Sequence, residues 1–372
     1  NAQDYPIDYF QSPLDIPIFL AGNFGEIRSN HFHAGLDMKT EGVEGKSIYA
    51  VANGYVSRIK ISHGGYGKAL YITHPNGYTS VYAHLQSFNG VIGEYISNSQ
   101  YQNESYEIEL FPSNTALLVK KGELVALSGN SGGSGGPHLH FELRETKTEI
   151  PVNPLLFDFD IKDNIKPTIK KLGIYPVNGM GAVNNSIDPK LLDISGTDGR
   201  YTLSGTLTLS GKIALGIEVQ DKLNGSSNRC GVYSIELLID SQEVYCHEMD
   251  KIGFYETRYI NSHVHFYDWK KNSSRVQRSY VQPNNKLDVY NCKKSSFTYD
   301  FKDNKNHLVQ YIVTDSYGNA STLSFIASSI AFKDTVEFVK PQIEYSDFSN
   351  FQSLFFKSNE PNDFTTEDFK IS

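Results

Sequence analysis

Residues 135–145, GGPHLHFELRE, place two histidines one residue apart, directly after a run of glycines and a proline. In an extended strand, residues two apart point to the same face. His138 and His140 would therefore project together, with Leu139 and Phe141 buried behind them. Two adjacent imidazoles suit metal binding, or one metal ligand beside one acid/base group. The plainer alternative is a strand that carries two polar residues on its solvent face.

An upstream motif, HFHAGLD (residues 31–37), supplies further candidate ligands. His33 and Asp37 would share one face of an extended segment, and Gly35 between them leaves room for an ion near the backbone. Together with one histidine of the HLH strand they make two imidazoles and a carboxylate. Three protein ligands with a fourth position open to water are typical of catalytic zinc. His31 competes with His33, but it lies six residues from Asp37.

A third motif is the alternating run KALYITHPNGYTSVYAHL (residues 68–85), which predicts a hairpin that turns at Asn76 and Gly77. The alternation places Tyr82 and His84 on one face of the second strand. His84 and the remaining histidine of the HLH strand would then flank the water on the metal. There they could take its proton or stabilise the developing oxyanion.

The other histidines carry weaker signals. His63 and His74 lie in predicted turns, where we expect them to be solvated. A second HxH pair, His263 and His265, has no HxxxD motif before it, and we interpret it as part of a strand without a metal. The glycine-rich loop at residues 128–137 lacks the Gly-Lys-Ser/Thr ending of a phosphate-binding loop. We interpret it as a turn that approaches the site or forms a wall of its groove.

The composition limits the class of protein. The chain has 372 residues and a formal net charge of -8, without a basic block, which argues against nucleic-acid binding. No segment is apolar over the length of a membrane span. Abundant Tyr, Phe, Asn, Ser and Gly favour a mostly-β protein. The three cysteines form no CxxC pair, so a thiolate zinc cluster is not expected.

The pattern of strands and turns predicts two domains with flanking segments. Residues 1–19 are an extended lead-in, and residues 20–157 form the domain that contains the three motifs. An insertion at about 87–118 interrupts its core strands and is expected to hold a short helix followed by a strand. Residues 158–334 show short strands with polar turns, a pattern typical of an Ig-like β-sandwich. The tail at 335–372 either adds edge strands or packs on the sandwich.

Taken in order, HxGxD, the GGYGKALYITHPNGYTSVYAHL segment and VKKGELVALSGNSGGSGGPHLHFELR resemble the LytM/lysostaphin-type zinc metallopeptidases. The resemblance covers roughly residues 20–157 and implies the antiparallel β-sheet fold of that family. It also implies a Zn²⁺ site and a pair of catalytic histidines. Carried over residue by residue, the zinc ligands are His33, Asp37 and His140, and the catalytic pair is His84 and His138.

Three further residues are predicted to support the ligands or line the substrate groove: Arg28, Glu142 and Tyr82. Arg28 occupies a position where the family often has an arginine before the first ligand. Glu142 either orients a ligand or is a solvated strand carboxylate. Latent members of the family carry a blocking asparagine, for which Asn23 and Asn30 are the candidates.

The resemblance implies a zinc-dependent endopeptidase that hydrolyses peptide cross-links in the peptide stems of bacterial peptidoglycan. It implies export to the periplasm or cell surface, and it favours the D-alanyl–diaminopimelate bond over a glycyl bridge. An envelope protein could bind through the C-terminal domain. One alternative is a latent or non-enzymatic regulator with the same fold, whose groove the insertion closes. Another, a carbohydrate-binding or adhesive β protein, accounts for the second half of the chain alone.

Overall fold

The structure is a computed structural model that describes residues 5–290 and 298–331. Its first half contains twelve strands and one α-helix, followed by a 3₁₀ turn at Pro154–Leu156. In chain order, the elements are β1 (Leu20–Gly22), β2 (Leu36–Lys39), β3 (Ser47–Tyr49), β4 (Gly54–Ile61), β5 (Lys68–Thr73), β6 (Tyr78–Ala83), β7 (Ser87–Phe88), α1 (Gly90–Gln102), β8 (Ile108–Leu110), β9 (Leu118–Val119), β10 (Leu124–Leu127), β11 (His138–Glu145) and β12 (Pro151–Val152).

Nine of these strands form one antiparallel sheet with the order β1-β2-β11-β6-β5-β4-β8, in which β12 pairs with β11 and β9 with β4. A second, small sheet has the order β3-β10-β7. The strand that carries the HLH motif therefore lies between β2, which carries Asp37, and β6, which leads to His84. This order brings three motifs that are far apart in sequence to the centre of one sheet.

The alternation within β11 separates a core face from a polar face. Leu139 and Phe141 are fully buried in the main hydrophobic core, as predicted. The lead-in contributes to the same core through Phe10 and Leu14. Burial of this apolar face is the main favourable contribution to folding, at about 25 cal/mol per Å² of apolar surface. The opposite face of the strand is left for the polar residues of the motif.

The predicted insertion contains a helix, α1, followed by a strand, β8, as expected. β8 pairs with β4 at the edge of the sheet, and three strands, β6, β5 and β4, lie between it and β11. Arg58 on β4 forms an ion pair with Glu109 on β8, and the His63 ring stacks on Tyr106 of the insertion. The insertion thus extends the sheet at its edge and supports the neighbouring turn at residues 62–66.

The second half contains eleven strands and two short helices, with a 3₁₀ turn at Thr257–Tyr259. In chain order, the elements are β13 (Thr168–Val183), β14 (Lys190–Asp193), β15 (Ser195–Thr197), β16 (Arg200–Thr202), β17 (Leu207–Gln220), β18 (Ser234–Ile239), β19 (Gln242–Glu248), α2 (Ile260–His263), α3 (Phe266–Asn272), β20 (Gln277–Arg278), β21 (Tyr299–Phe301), β22 (Asn306–Thr314) and β23 (Ala320–Ile330).

These strands form one hydrogen-bonded sheet of eleven, with the main order β14-β13-β17-β23-β22-β18-β19. Most pairs are antiparallel, but β23 runs parallel to β16 and β17. The mostly-β prediction is confirmed, whereas an Ig-like division into two sheets is not. The domain boundaries stay a prediction, and the predicted tail at 335–372 lies outside the described residues.

The prediction that the second HxH pair lies on a strand is wrong. His263 ends the short helix α2, and His265 is the N-cap of α3, where its ring accepts from the Asp268 backbone N–H. The His263 ring is fully buried between Tyr290 and Gln277, and His265 stacks on Tyr175. The two imidazoles therefore have separate packing partners, because a helical turn does not keep residues two apart on one face.

The two halves of the chain share a hydrophobic cluster. Phe24 and Phe32, on either side of the arginine that precedes the first motif, are buried with residues from the second half. The other buried members of this cluster are Ile27, Met249, Ile252, Ile260, Val264, Leu287 and Val289. Across the described parts of the chain, no helix has both the length and the apolar character needed to span a membrane.

Candidate metal centre

The atoms of three predicted ligands converge on one point. Asp37 Oδ1 lies 3.0 Å from His33 Nε2 and 3.0 Å from His140 Nδ1, and the two nitrogens are 3.1 Å apart. Ligand atoms about 2.0–2.1 Å from a tetrahedral zinc ion would be separated by about 3.3 Å. The triangle of two nitrogens and one oxygen therefore fits a metal ion with only a small expansion.

Hydrogen bonds fix which nitrogen of each ligand ring faces this point. The carbonyl oxygen of Asn23 can only accept, so His33 Nδ1–H donates to it at 2.8 Å and leaves the lone pair on Nε2. His140 Nε2 lies 2.8 Å from a carboxylate oxygen of Glu142, which leaves the lone pair on Nδ1. Both rings are thus oriented as the predicted ligands would need to be, with an oxygen acceptor behind each of them.

The strand pairing positions Asp37 and His140, which lie directly opposite each other on β2 and β11. Gly35 has a different role from the one predicted. A Cβ atom at this position would lie 2.3 Å from the Phe141 carbonyl oxygen and 2.8 Å from Glu142 Cγ. The space beside Gly35 is therefore occupied by β11 and not available to an ion, and the glycine allows the two segments to approach.

Glu142 is fully buried, so it is not a solvated strand carboxylate. One carboxylate oxygen contacts His140 and the Tyr66 hydroxyl, and the other accepts from Arg144 Nε at 2.6 Å. Burial alone would raise the pKa of Glu142, but Arg144 and His140 lower it to about 2. The carboxylate is thus held in its charged form behind the ligand ring.

The charges around the ligands favour a cation at this point. Burial would lower the pKa of His140, but the hydrogen bonds and charges of Asp37 and Glu142 raise it to about 9. Despite burial, three nearby histidines hold the pKa of Asp37 well below its usual range. The outer oxygen of Asp37 accepts from Arg28 Nη2 at 3.0 Å, and this arginine also pairs with Glu26.

Replacing Glu142 with glutamine is expected to weaken metal binding by about 10- to 100-fold, because the charge behind the His140 ligand is lost. The measurement is a competition titration of the purified protein with a zinc chelator. Glu145→Gln is the matched control, because Glu145 lies on the same strand but pairs with Lys251, away from the ligands. Equal affinities of the two variants would contradict this role for Glu142.

The predicted catalytic pair lies beside the triangle. The His84 and His138 ring centroids are 4.8 Å apart, and His138 Nε2 is 3.4 Å from Asp37 Oδ1. His84 Nδ1–H donates to the Ser131 carbonyl oxygen at 2.8 Å, and His138 Nδ1–H donates to that of Gly136 at 2.8 Å. Both rings therefore present Nε2 to the site. Burial is the main factor that lowers the pKa of His84 to about 4.

Tyr82 and His84 do not share a face, which corrects the sequence interpretation. Tyr82 is fully buried in the core, where its ring packs on Phe141 and its hydroxyl accepts from the Val51 backbone N–H. It therefore does not line the groove. His84 reaches the polar face because its backbone φ is +59°, a left-handed conformation that reverses the strand alternation.

The glycine-rich loop acts as a wall of the site, in agreement with its predicted position. A Cβ atom on Gly132 would lie 2.3 Å from the Gly67 backbone nitrogen, so the loop and the turn before β5 pack backbone to backbone. Gly132 also has a φ of +75°, which favours glycine. This close packing fixes the carbonyl oxygen of Ser131, which orients the ring of His84 in the predicted catalytic pair.

The remaining candidates lie away from the triangle. His31 and His63 are exposed, and the Asn30 amide contacts His31. His74 was expected to be solvated, but it is buried, because its ring contacts the Asn53 carbonyl oxygen and the Ser80 hydroxyl. These three histidines take no part in the centre.

Two residues that support the histidine rings of the centre were not predicted in that role from the sequence. The Tyr66 ring stacks on His140 with centroids 5.1 Å apart, and only its place in the GGYGK segment of the second motif could have identified it. Asn23 was considered as a blocking ligand. Its side chain instead forms two hydrogen bonds with the backbone of Gly231, and its carbonyl oxygen orients His33.

The sequence of this chain is similar to known peptidases. The sequence model described as Peptidase family M23 matches residues 31–101. A protein of Neisseria meningitidis named DD-carboxypeptidase/endopeptidase Mpg is 32% identical over 123 residues, which make up 33% of this chain and 22% of that protein. An uncharacterized metalloprotease of Haemophilus influenzae is 32% identical over 123 residues, with coverages of 33% and 20%. The chain thus spans about a fifth of the length of the curated relatives it matches.

The solved structures that this chain matches include the catalytic domain of the prophage-encoded M23 protein EnpA from Enterococcus faecalis. It is 24% identical, with a TM-score of 0.29, and the match covers 39% of this chain and 95% of that one. The catalytic domain of lysostaphin from Staphylococcus simulans is 21% identical, with a TM-score of 0.27 and coverages of 36% and 86%. On the sequence matches and the mostly-β fold, this chain contains a domain of peptidase family M23, the LytM/lysostaphin family, as the sequence motifs predicted.

Proposed function

We propose that this protein is a zinc-dependent endopeptidase that hydrolyses peptide cross-links of bacterial peptidoglycan. One observation carries the proposal: four imidazoles are fixed by hydrogen bonds so that one lone pair of each faces the same small region beside Asp37. Two of them, on His33 and His140, complete the ligand triangle. The other two, on His84 and His138, remain free for proton transfer.

His33, Asp37 and His140 would hold the metal ion. Two imidazole nitrogens and one carboxylate oxygen are a donor set that suits zinc and leaves one coordination position open. When bound, zinc supplies Lewis acidity, which makes a coordinated water acidic enough to attack a carbonyl carbon near neutral pH. Glu142 and the Asn23 carbonyl oxygen hold the two ligand rings in place for this task.

His84 and His138 would carry out the proton transfers. Because Nδ1–H of each ring donates to a backbone carbonyl oxygen, Nε2 is the atom that accepts a proton from the attacking water. Once it is protonated, the same Nε2–H can donate to the negative charge that develops on the scissile carbonyl oxygen, or to the leaving amine. The backbone acceptors prevent the rings from turning away during these transfers.

The polar surface next to the centre supports an acidic peptide as the substrate. A cavity beside Tyr66 is lined by Arg58 and Lys60 on β4 and by Arg144 on β11. Arg58 and Lys60 share a single carboxylate, that of Glu109, so this wall keeps net positive charge. Peptide stems that carry free carboxylates would be attracted to such a wall. The name of the Neisseria relative supports a D,D-bond, and we therefore propose the D-alanyl–diaminopimelate cross-link.

Digestion of purified peptidoglycan by the full chain tests this function, with the released muropeptides identified by mass spectrometry. With zinc added, cross-linked dimers are expected to fall to monomers, and the product masses identify the bond that is cut. Chelation of the metal is expected to stop the reaction, and zinc is expected to restore it. If zinc binds but no dimer is consumed, the proposal fails, and the alternative of a latent or regulatory protein of the cell envelope takes its place.

Action on peptidoglycan requires that the protein work outside the cytoplasm, so we also propose the periplasm or the cell surface as its location. Fractionation of the producing cells, with the protein detected by an antibody, tests this location directly. We also propose the second half of the chain as the surface that an envelope partner would bind.

A further inference from the structure

Three carboxylates converge at a second place, where the two halves of the chain meet. Asp163 belongs to the connection that precedes β13, Asp221 is the first residue after β17, and Asp315 is the first residue after β22. One oxygen of each lies within 4.8 Å of the other two. None of these residues takes part in the M23 site, and they come from three separate segments of the chain.

Two of these three acids are almost fully buried. Asp221 is 2% exposed and Asp315 is 3% exposed. Within residues 5–290 and 298–331, no Lys, Arg or His forms an ion pair with any of the three carboxylates. Burial, followed by the neighbouring acids, raises the pKa of Asp221 to about 8. A buried group of like charges is costly unless something neutralises it.

Two of the carboxylate oxygens have no hydrogen-bond partner although they are shielded from solvent. These are Oδ1 of Asp221 and Oδ2 of Asp163. By contrast, the other oxygen of Asp163 accepts from the Ile165 backbone N–H at 3.1 Å, and Asp315 accepts from the Tyr317 backbone N–H at 2.8 Å. Asp163 and Asp315 are thus each held by their own loop, while one oxygen of Asp163 and one of Asp221 have no partner.

We infer that Asp163, Asp221 and Asp315 bind a divalent cation, with Ca²⁺ as the ion that fits best. All donors are carboxylate oxygens, which hard cations prefer. Ca²⁺ accepts about six to eight oxygen ligands in a flexible geometry, whereas Mg²⁺ demands a near-ideal octahedron and is seldom bound by protein carboxylates alone.

The position of this site gives the ion a structural role. The segment that follows Asp221 contacts the M23 sheet: the Ser226 hydroxyl donates to the Leu20 carbonyl oxygen at 2.7 Å, and the Gly231 backbone binds the Asn23 side chain. The same Asn23 orients His33 through its carbonyl oxygen. A cation at the three acids would therefore fix the segment that supports a ligand of the M23 site.

The test uses the full chain, with CaCl₂ in thermal unfolding and TbCl₃ in luminescence excited through nearby tyrosine. About 1 mM CaCl₂ is expected to raise the unfolding midpoint of the wild type by about 5 °C. The same shift is expected for His33→Ala, which disables the M23 site. Asp221→Asn is expected to reduce Tb³⁺ affinity by about tenfold or more. Asp160→Asn, an exposed acid in the same connection as Asp163, is the matched control and is expected to behave as the wild type.

The order of the unfolding temperatures of the wild type and Asp221→Asn is expected to depend on whether calcium is present. At a pH above the raised pKa of Asp221 and without divalent cations, Asp221→Asn is expected to unfold at a higher temperature than the wild type, because it then removes one of three repelling charges. With CaCl₂, the order is expected to reverse. No response of the wild type to CaCl₂, or a full response that Asp221→Asn retains, would overturn the inference. If Asp221→Asn does not fold, Asp163→Asn and the wild-type titration decide in the same way.

Discussion

Replacing His33 with alanine is expected to remove both metal binding and hydrolysis. His33 supplies one of the three donors of the triangle, and its ring is held by Asn23 on one side and faces Asp37 on the other. Disturbing the hydrogen-bond partner of a ligand weakens metal binding by up to about 100-fold. Loss of the ligand itself is expected to weaken zinc binding further than that. The measurements are the zinc content of the purified protein and the rate of muropeptide release.

His31→Ala is the matched control for this variant. His31 belongs to the same HFH motif, but it is exposed and contacts only Asn30 among the side chains described. We expect it to keep both zinc and activity. If His33→Ala retains zinc with wild-type affinity, or if both variants lose it equally, the assignment of His33 as a ligand is wrong.

Replacing His138 with alanine is expected to reduce hydrolysis by about 10²- to 10⁴-fold while zinc remains bound. Its Nε2 atom faces the triangle, but it is not one of the three atoms that form it. The variant therefore separates proton transfer from metal binding. The measurements are the turnover number for cross-linked dimers and the zinc affinity, determined on the same preparation.

His63→Ala serves as the control, because His63 is an exposed histidine of the first half that stacks on Tyr106. It is expected to leave both quantities unchanged. A His138→Ala protein that loses zinc together with activity would indicate that His138 is itself a ligand. One that retains full turnover would leave His84 as the sole candidate for proton transfer.

The sequence motifs predicted the placement of side chains well wherever a regular strand determines their direction. Strand alternation in β11 correctly placed His138 and His140 together and Leu139 behind them. The same argument failed at His84, because a single backbone angle reverses the alternation there, and no neighbouring glycine indicates it. Tyr82 was consequently predicted on the wrong face.

The second half was harder to predict, because its contacts connect distant segments. Short strands and polar turns correctly indicated a β-rich region, but they do not determine how strands pair, and the order β17-β23-β22 skips several elements in sequence. The local HVH pattern predicted a strand. His263 is instead buried at the end of a helical turn, because its tertiary packing outweighs the local preference. The acids at Asp163 and Asp221 likewise meet only in the folded chain.

The hydrophobic cluster between the two halves limits how far the M23 domain can be treated as a modular unit. Phe24 and Phe32 lie on either side of Arg28, and their burial depends on residues beyond position 248. A fragment that stopped at the predicted boundary of 157 would expose these aromatic rings to water and would leave Asn23 without Gly231. The second half is thus an integral scaffold of the candidate metal centre, and transplanting the three motifs alone would not transfer their geometry.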